Sequence, residues 1–277
     1  MCARLDAMRV ALAVVCLFMV CAPAGAKPLG LYDCGHTPPS WVAVCTIADT
    51  EPDKNFVDAR MLSEQRGIIW LLQLGYHEDP RLPIGPHAAR ILDRLDATGL
   101  LPYVAAVSVG EEWYEHWQAG TFARLGLTSD NMAGMPIIHD WLGKQHLAAK
   151  TVLGVPVVWI TGSVNALRPV PAHTDLVALV PYVTPGHAFT TAVAPVLAVA
   201  EQSTPLPLVL IAQWFHAEGY AKPKAEDVAQ YLAWLARPRW VALLGFTGRS
   251  RPWAGITGLA DLPDLRAAVD DAVGVKQ

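Results

Sequence analysis

Charged residues are scarce in this sequence: Asp, Glu, Lys and Arg together make up 17% of 277 residues, and the formal net charge is -4. Proteins that hold nucleic acid through its phosphates carry a basic patch or stripe. The sequence has no such stripe, so we expect no nucleic-acid partner. It also lacks a Gly-rich turn after its first apolar run, the turn that binds dinucleotides in many α/β proteins, and we expect no cofactor.

Residues 1–26 have the layout of a secretory signal peptide. Arg9 precedes an apolar run over residues 10–20, and small residues at 24–26 lead to an expected cleavage site before Lys27. The apolar run is well short of the roughly 20 residues that span a bilayer. We therefore expect a secreted or periplasmic protein with no membrane partner once the signal peptide is removed.

Cysteine is scarce as well, since the expected cleavage leaves only Cys34 and Cys45 of the five cysteines in the chain. A pair of cysteines in an exported protein favours a disulfide over a metal site, because two thiolates cannot fill a tetrahedral shell. The alternative is two separate buried thiols.

Short apolar runs, by contrast, recur along the whole mature chain. Each has the length of a strand, and near-continuous hydrophobicity is typical of strands buried on both faces of a parallel sheet. The eight runs are LGLYDC (29–34), WVAVCTIA (41–48), GIIWLLQL (67–74), LPYVAAVSVG (101–110), VPVVWITG (155–162), DLVALVPYV (175–183), PLVLIAQWF (207–215) and WVALLGFTG (240–248).

Segments with helical spacing separate most of these runs. Pro86 lies just inside one helix start and Gly99 just past its end. Strands that alternate with helices predict a parallel sheet, and eight of them favour an α/β fold of the (β/α)8 TIM barrel type, with residues 27–277 as one domain. A doubly wound open sheet is the alternative. Only GHTPPS (35–40) separates the first two runs, so one of them could be a loop or hairpin pinned by the disulfide, leaving the barrel irregular at its first strands.

In a barrel of this type the active site lies at the carboxyl ends of the strands. The fourth run ends in two adjacent carboxylates, Glu111 and Glu112. Alternation along an unbroken strand would place Val107, Val109 and Glu111 on the helix side and Glu112 in the pocket. A carboxyl group there would lose hydration and become a proton donor near neutral pH. Alternatively, these glutamates begin the next helix, where acidic side chains suit the dipole.

This layout resembles the clan A type of (β/α)8 glycoside hydrolases, through the GEEW stretch (110–113) and the AQWF stretch (212–215). The resemblance implies that Glu112, or Glu111 if the register slips, is the acid/base. It also implies that Gln213 stands where the family has its nucleophilic glutamate, and an amide cannot form the glycosyl ester. Three alternatives follow: an inverting reaction with another carboxylate as base, a substrate-assisted reaction, or a barrel that binds sugar or assists polysaccharide assembly without cleaving. The candidate bases are Asp33, Asp49 and Glu218.

Other polar and aromatic residues at the strand ends are candidates for sugar binding. Aromatic faces stack on pyranose rings, and amides and guanidinium groups bond to hydroxyls, although most Trp residues are core residues. Arg249 and Arg251 form a cationic lip that predicts an acidic sugar, or else they pair with nearby acids. The predicted substrate-binding residues are Asp33, Gln73, Trp113, Tyr114, Tyr182, Gln213, Trp214, Arg249 and Trp253.

Metal-binding patterns are weak. The chain has no HxH or HExxH run, and the trio His77, Glu78 and Asp79 reads more plainly as a solvated loop. We expect no metal.

Overall fold

A computed structural model describes residues 27–34, 37–48, 53–74, 81–82, 86–127, 134–248 and 250–274. The predicted signal peptide, residues 1–26, lies outside the described residues.

Eight strands form a closed barrel in chain order, and every neighbouring pair is parallel, including the closing pair of first and last strands. All eight apolar runs contain a strand, so the prediction of a (β/α)8 barrel is confirmed and the alternative of an open sheet is wrong. The strands are β1 (Leu29–Tyr32), β2 (Val44–Ala48), β3 (Ile69–Leu74), β4 (Val104–Val109), β5 (Val157–Thr161), β6 (Leu176–Leu179), β7 (Leu208–Gln213) and β8 (Trp240–Phe246).

Helices follow most strands and cover the outside of the barrel. Pro86 begins the second helix and Gly99, with φ of +69°, lies just past its end, as the sequence predicts. Among the described residues, no helix combines the length and the apolar character needed to cross a membrane. The α-helices are α1 (Asp53–Arg66), α2 (Pro86–Ala97), α3 (Trp113–Gln118), α4 (Gly134–Leu153), α5 (Phe189–Ala192), α6 (Ala194–Ser203), α7 (Ala225–Leu235) and α8 (Pro263–Ala272). The 3-10 helices are Leu101–Tyr103, Ala123–Leu125, Val164–Leu167, Pro252–Ala254 and Leu259–Asp261.

Two apolar cores follow from the alternation of side chains along the strands. The inner core fills the barrel with side chains from all eight strands, and the outer core lies between the strands and the helices. On β4, Ala106 belongs to the inner core while Val107 and Val109 belong to the outer one. The predicted faces of β4 are therefore confirmed as far as Val109.

The first two strands are both regular members of the barrel, so the expectation that one of them is a loop or hairpin is wrong. β1 pairs in parallel with β2, with Leu31 opposite Cys45. The connection between them contains no helix in its described part, and a disulfide joins Cys34 to Cys45 with their Cα atoms 5.8 Å apart. The covalent bond thus ties the end of β1 to the neighbouring strand β2.

Candidate active site

The backbone leaves the strand geometry immediately after Val109. β4 ends there, Gly110 has φ of +70° and Glu112 has φ of +51°, so the assumption of an unbroken strand to residue 112 is wrong. A Cβ on Gly110 would lie 2.4 Å from Leu142 Cδ2 and 2.7 Å from the ring of Trp113. Only glycine tolerates both this conformation and this contact, and the turn places both glutamates at the barrel mouth.

Glu111 points toward the inside of the barrel, which corrects the prediction that it faces the rim or a helix. Its Oε2 accepts a hydrogen bond of 2.5 Å from the hydroxyl of Tyr32 at the end of β1. The same oxygen accepts a bond of 2.6 Å from Nε2 of Gln73 on β3, and Gln73 Nε2 also contacts the Tyr32 hydroxyl. The other oxygen, Oε1, has no partner among the described residues, and the residue as a whole is half-buried. One oxygen is therefore anchored and the other is presented to the mouth.

Burial dominates the electrostatics of Glu111. It raises the pKa of the carboxyl group, while the hydrogen bond from Tyr32 and the positive charge of Arg251 act in the opposite direction. Burial, and then the charge of Glu111, raise the pKa of Tyr32 well above its usual value, so the phenol keeps its proton and donates a hydrogen bond to the carboxylate.

Glu112 also lies at the mouth, in a different environment. Neither of its oxygens has a hydrogen-bond partner among the described residues, and neither is fully buried. Burial of the side chain, followed by the charges of Glu111 and Glu115, raises the pKa of Glu112 to about 7. Glu112 is therefore a carboxylic acid that gains or loses its proton near neutral pH.

A third carboxylate, Glu115, comes from the first turn of α3. Its Oε1 accepts hydrogen bonds from the Gly162 N–H (2.7 Å) and the Thr161 hydroxyl (2.9 Å), both at the end of β5. The three glutamates of one loop and helix thus occupy the mouth above β3, β4 and β5.

Aromatic side chains occupy the other side of the mouth, above β6, β7, β8 and β1. Tyr182 is in edge contact with Phe215 (ring centroids 5.0 Å apart) and Tyr220 (5.5 Å). Phe246 lies 6.0 Å from Tyr182 and 5.1 Å from Tyr32. Burial, and then the charges of Glu112 and Glu111, raise the pKa of Tyr182 well above its usual value, so this aromatic wall faces the glutamates.

Three of the predicted substrate-binding aromatics belong instead to the outer core. Trp113 packs on Phe122, and Tyr114 accepts a hydrogen bond from Gln118. Trp214 is fully buried against Trp41. The prediction that these three side chains line the pocket is corrected.

Trp253 is the one predicted aromatic that stands out into solvent, with 78% of its surface exposed. It lies in the 3-10 helix after β8, on the same face as the mouth. Tyr182, described above, is the other predicted aromatic that borders the mouth.

Gln213 is the last residue of β7, as the sequence predicts, but its side chain is hydrogen-bonded to the backbone of two loops. Its Oε1 accepts the Val183 N–H at 2.7 Å, and its Nε2 donates to the Ala221 carbonyl at 2.6 Å. The side chain is 2% exposed. Gln213 therefore joins the loops after β6 and β7 and is not presented to a substrate.

Of the two arginines of the predicted cationic lip, Arg251 is described, and it forms an ion pair. Arg251 binds Asp33 through Nε (2.9 Å) and Nη2 (2.8 Å), and Asp33 is buried. Arg249 and Asp49 lie outside the described residues, and Glu218 is exposed on the loop after β7. Asp33 thus positions Arg251 rather than standing free as a base.

No group of three or more His, Cys, Asp or Glu side chains that could hold a metal ion occurs within the part of the chain that the structure describes. The trio His77, Glu78 and Asp79 lies outside it.

Sequence reasoning assigned no role to Tyr32, although it lies near the end of the first run, and missed Phe246 and Tyr220 as parts of the site. Alternation could have found the first two, because Phe246 shares the inward face of β8 with Ala242 and Leu244. The same rule on β7 places Trp214 with the outward residues. Tyr220 lies in a loop, where no periodicity applies.

Comparison with known proteins identifies no family for this chain. No model of a known protein family matches the sequence, and a search of curated proteins found no match. Among solved structures, the chain is similar to a D-psicose 3-epimerase (11% identity, TM-score 0.48, 90% of this chain and 99% of that chain). It is similar to the glycoside hydrolase domain of PelA from Pseudomonas aeruginosa (12% identity, TM-score 0.47, 80% of this chain and 95% of that chain). It also matches a FabK mutant from Thermotoga maritima (14% identity, TM-score 0.44, 80% of this chain), spanning 62% of that chain. These likenesses concern the barrel and identify no activity for this chain.

Proposed function

We propose that this protein is an exported glycoside hydrolase acting on a poly- or oligosaccharide, with Glu112 as the general acid and Glu111 as the second carboxylate. The observation that carries the proposal is the pair of adjacent glutamates in unlike environments at the barrel mouth. Glu111 is bonded by Tyr32 and Gln73, whereas Glu112 is unbonded among the described residues and has a pKa of about 7. Two carboxyl groups with separate roles are the pattern of glycoside hydrolysis.

In the proposed reaction, Glu112 donates its proton to the glycosidic oxygen as the bond from that oxygen to the anomeric carbon breaks. A water molecule attacks the anomeric carbon and transfers a proton to Glu111 Oε1, the oxygen that has no hydrogen-bond partner among the described residues. Glu111 ends protonated and Glu112 ionised, and exchange with solvent restores both groups. This scheme uses Glu111 in the place of Asp33, whose carboxylate is bound to Arg251.

The mouth suits a glycan without negative charge. The aromatic wall offers faces on which a pyranose ring can stack, through Tyr182, Phe246 and the exposed Tyr220. The described carboxylates Glu111, Glu112 and Glu115 would repel an anionic sugar. An acidic substrate would depend on Arg249, which lies outside the described residues.

Export is part of the proposal. The disulfide between Cys34 and Cys45 supports it, since such bonds persist in oxidising compartments. The location would be the periplasm or the extracellular space.

A second candidate is a barrel that binds carbohydrate without cleaving it, or that assists polysaccharide assembly. The observation that favours it is Gln213, which is an amide at the end of β7 and is used to hold two loops. No second carboxylate from β7 is then available for a covalent step.

The test is release of reducing ends from a panel of neutral polysaccharides by the wild type and by Glu112→Gln. We expect the substitution to lower the rate by about 100-fold or more, the usual contribution of a general acid. The matched control is Glu226→Gln, an exposed glutamate in the first turn of α7, which should retain the wild-type rate.

Cleavage that survives Glu112→Gln would reject Glu112 as the acid. Binding of a panel glycan by both proteins, with cleavage by neither, would favour the second candidate over the first.

A further inference from the structure

Glu115, like Glu111, is held by two hydrogen bonds to one carboxylate oxygen. Its Oε1 is bonded by Gly162 N–H and by the hydroxyl of Thr161, the fully buried last residue of β5. Its second oxygen, Oε2, is buried and has no hydrogen-bond partner among the described residues.

Glu112 and Glu115 border the same small space over the end of β5. A Cβ on Gly162 would lie 3.4 Å from Glu115 Oε1 and 3.8 Å from Glu112 Oε1. The Glu112 N–H also donates to the Ile160 carbonyl at 3.0 Å, so both residues are tethered to the same strand. The backbone of Glu112 and the carboxylate of Glu115 are therefore both held by the end of β5.

The described groups that act on Glu112 do not offset the negative charge of Glu115. The described titratable groups that act on it are Glu111 from the same loop and Glu115 from α3, and Tyr182 faces it from the loop after β6. Arg251 acts on Glu111 and is paired with Asp33. The negative charges of Glu111 and Glu115 therefore both favour the protonated form of Glu112. Glu111 is itself held by hydrogen bonds from Tyr32 and Gln73.

We propose that Glu115 is a positioning residue that holds a fixed negative charge beside Glu112 and so keeps the proton on Glu112 until the leaving group takes it. The inference rests on the proposed function for the role of Glu112 as acid. The coupling between the two carboxyl groups can be measured without a substrate.

The test compares Glu115→Gln with the wild type. Glutamine keeps the oxygen that accepts from Gly162 and Thr161 and removes only the charge. The midpoint of Glu112 is read by 13C NMR of carboxyl-labelled glutamate, with the signal assigned by its loss in Glu112→Gln. We expect the midpoint to fall by about one pH unit in Glu115→Gln and to stay unchanged in the exposed control Glu226→Gln.

The rate on a glycan that the wild type cleaves should follow the same shift. A midpoint lower by one unit leaves about one fifth as much protonated Glu112 at pH 7 and the same amount at pH 5. The variant should therefore be about 5-fold slower at pH 7 and at least as fast as the wild type at pH 5, where the loss of Glu115 also favours the ionised form of Glu111. A residue that only stabilised the fold would slow the reaction equally at both pH values.

An unchanged midpoint in folded Glu115→Gln would overturn the inference. If Glu115→Gln does not fold, Glu115→Ala is measured in its place with the same expectation. A shifted midpoint in a protein that cleaves no glycan would leave the inference standing and count against the proposed function.

Discussion

The hydroxyl of Tyr32 lies 2.5 Å from Oε2 of Glu111. The two residues are far apart in the chain and come from β1 and the loop after β4, so the bond crosses the mouth of the barrel. Gln73 completes the arrangement from β3. Because the hydrogen bonds from Tyr32 and Gln73 converge on one oxygen, the position of Glu111 depends on the closure of the barrel and not on its own loop alone.

Tyr32→Phe should therefore lower the rate of glycan hydrolysis while leaving KM nearly unchanged. A hydrogen bond to a charged group contributes about 1.5 to 3 kcal/mol, so we expect a loss in kcat of about 10- to 100-fold. The bond lowers the pKa of Glu111, so its removal should move the acid limb of the pH profile to higher pH. The control is Tyr231→Phe, which removes a buried hydroxyl bonded to the Pro181 carbonyl. An equal shift in both variants would contradict the prediction.

Gly110→Ala should destabilise the fold. The added methyl group would meet Leu142 and Trp113 at 2.4 and 2.7 Å, in a backbone with φ of +70°. Strain and overpacking together should lower the free energy of unfolding by about 2 to 4 kcal/mol. Urea denaturation measures the change. Gly120→Ala is the matched control, because it has φ of +78° with nothing within 4 Å and should cost about 1 kcal/mol.

Reduction of the disulfide should lower the stability of the barrel. Cys34 and Cys45 are 11 residues apart, and opening a loop of this length raises the entropy of the unfolded chain by an amount worth about 3 kcal/mol. Thermal unfolding with and without reductant measures the difference. A double variant with serine at both positions should melt near the reduced protein and should not respond to reductant.

The burial of His146 predicts that the folded protein loses stability in mild acid. Burial lowers its pKa to about 4 in the folded state, so between pH 6.5 and 4 the unfolded chain binds a proton that the folded chain does not. The contribution is fully present above pH 6.5 and is lost as the pH falls through this window. At pH 5 the free energy of unfolding should be about 2 kcal/mol lower than at pH 7. His146→Leu should flatten this part of the pH dependence, and an unchanged slope would show that other groups cause it.

The sequence predicted the barrel because its signal is carried by many residues at once. Each strand is a run of apolar side chains that face a core on both sides. Such a run can still be recognised in the sequence when it contains a single polar residue. The position of GEEW at the mouth followed from the same rule, because it comes directly after β4.

The orientation of the site residues could not be predicted in the same way, since it depends on single backbone conformations. The left-handed turn at Gly110 turned Glu111 inward, against the alternation that held as far as Val109. The burial of Trp113 depends on its packing against Phe122, which the sequence does not place near it. Strand-end position alone does not separate a side chain in the pocket from one beneath a helix.

Gln213 has a consequence for how the barrel could change its specificity. Its two hydrogen bonds couple the loops after β6 and β7, since Val183 and Ala221 are held by the same side chain. An insertion in either loop would disturb the Gln213 contact that holds the other loop. These two loops should therefore be grafted or diversified together. The loop after β4 is anchored separately, through Glu111 and Glu115, and could stay constant during such remodelling.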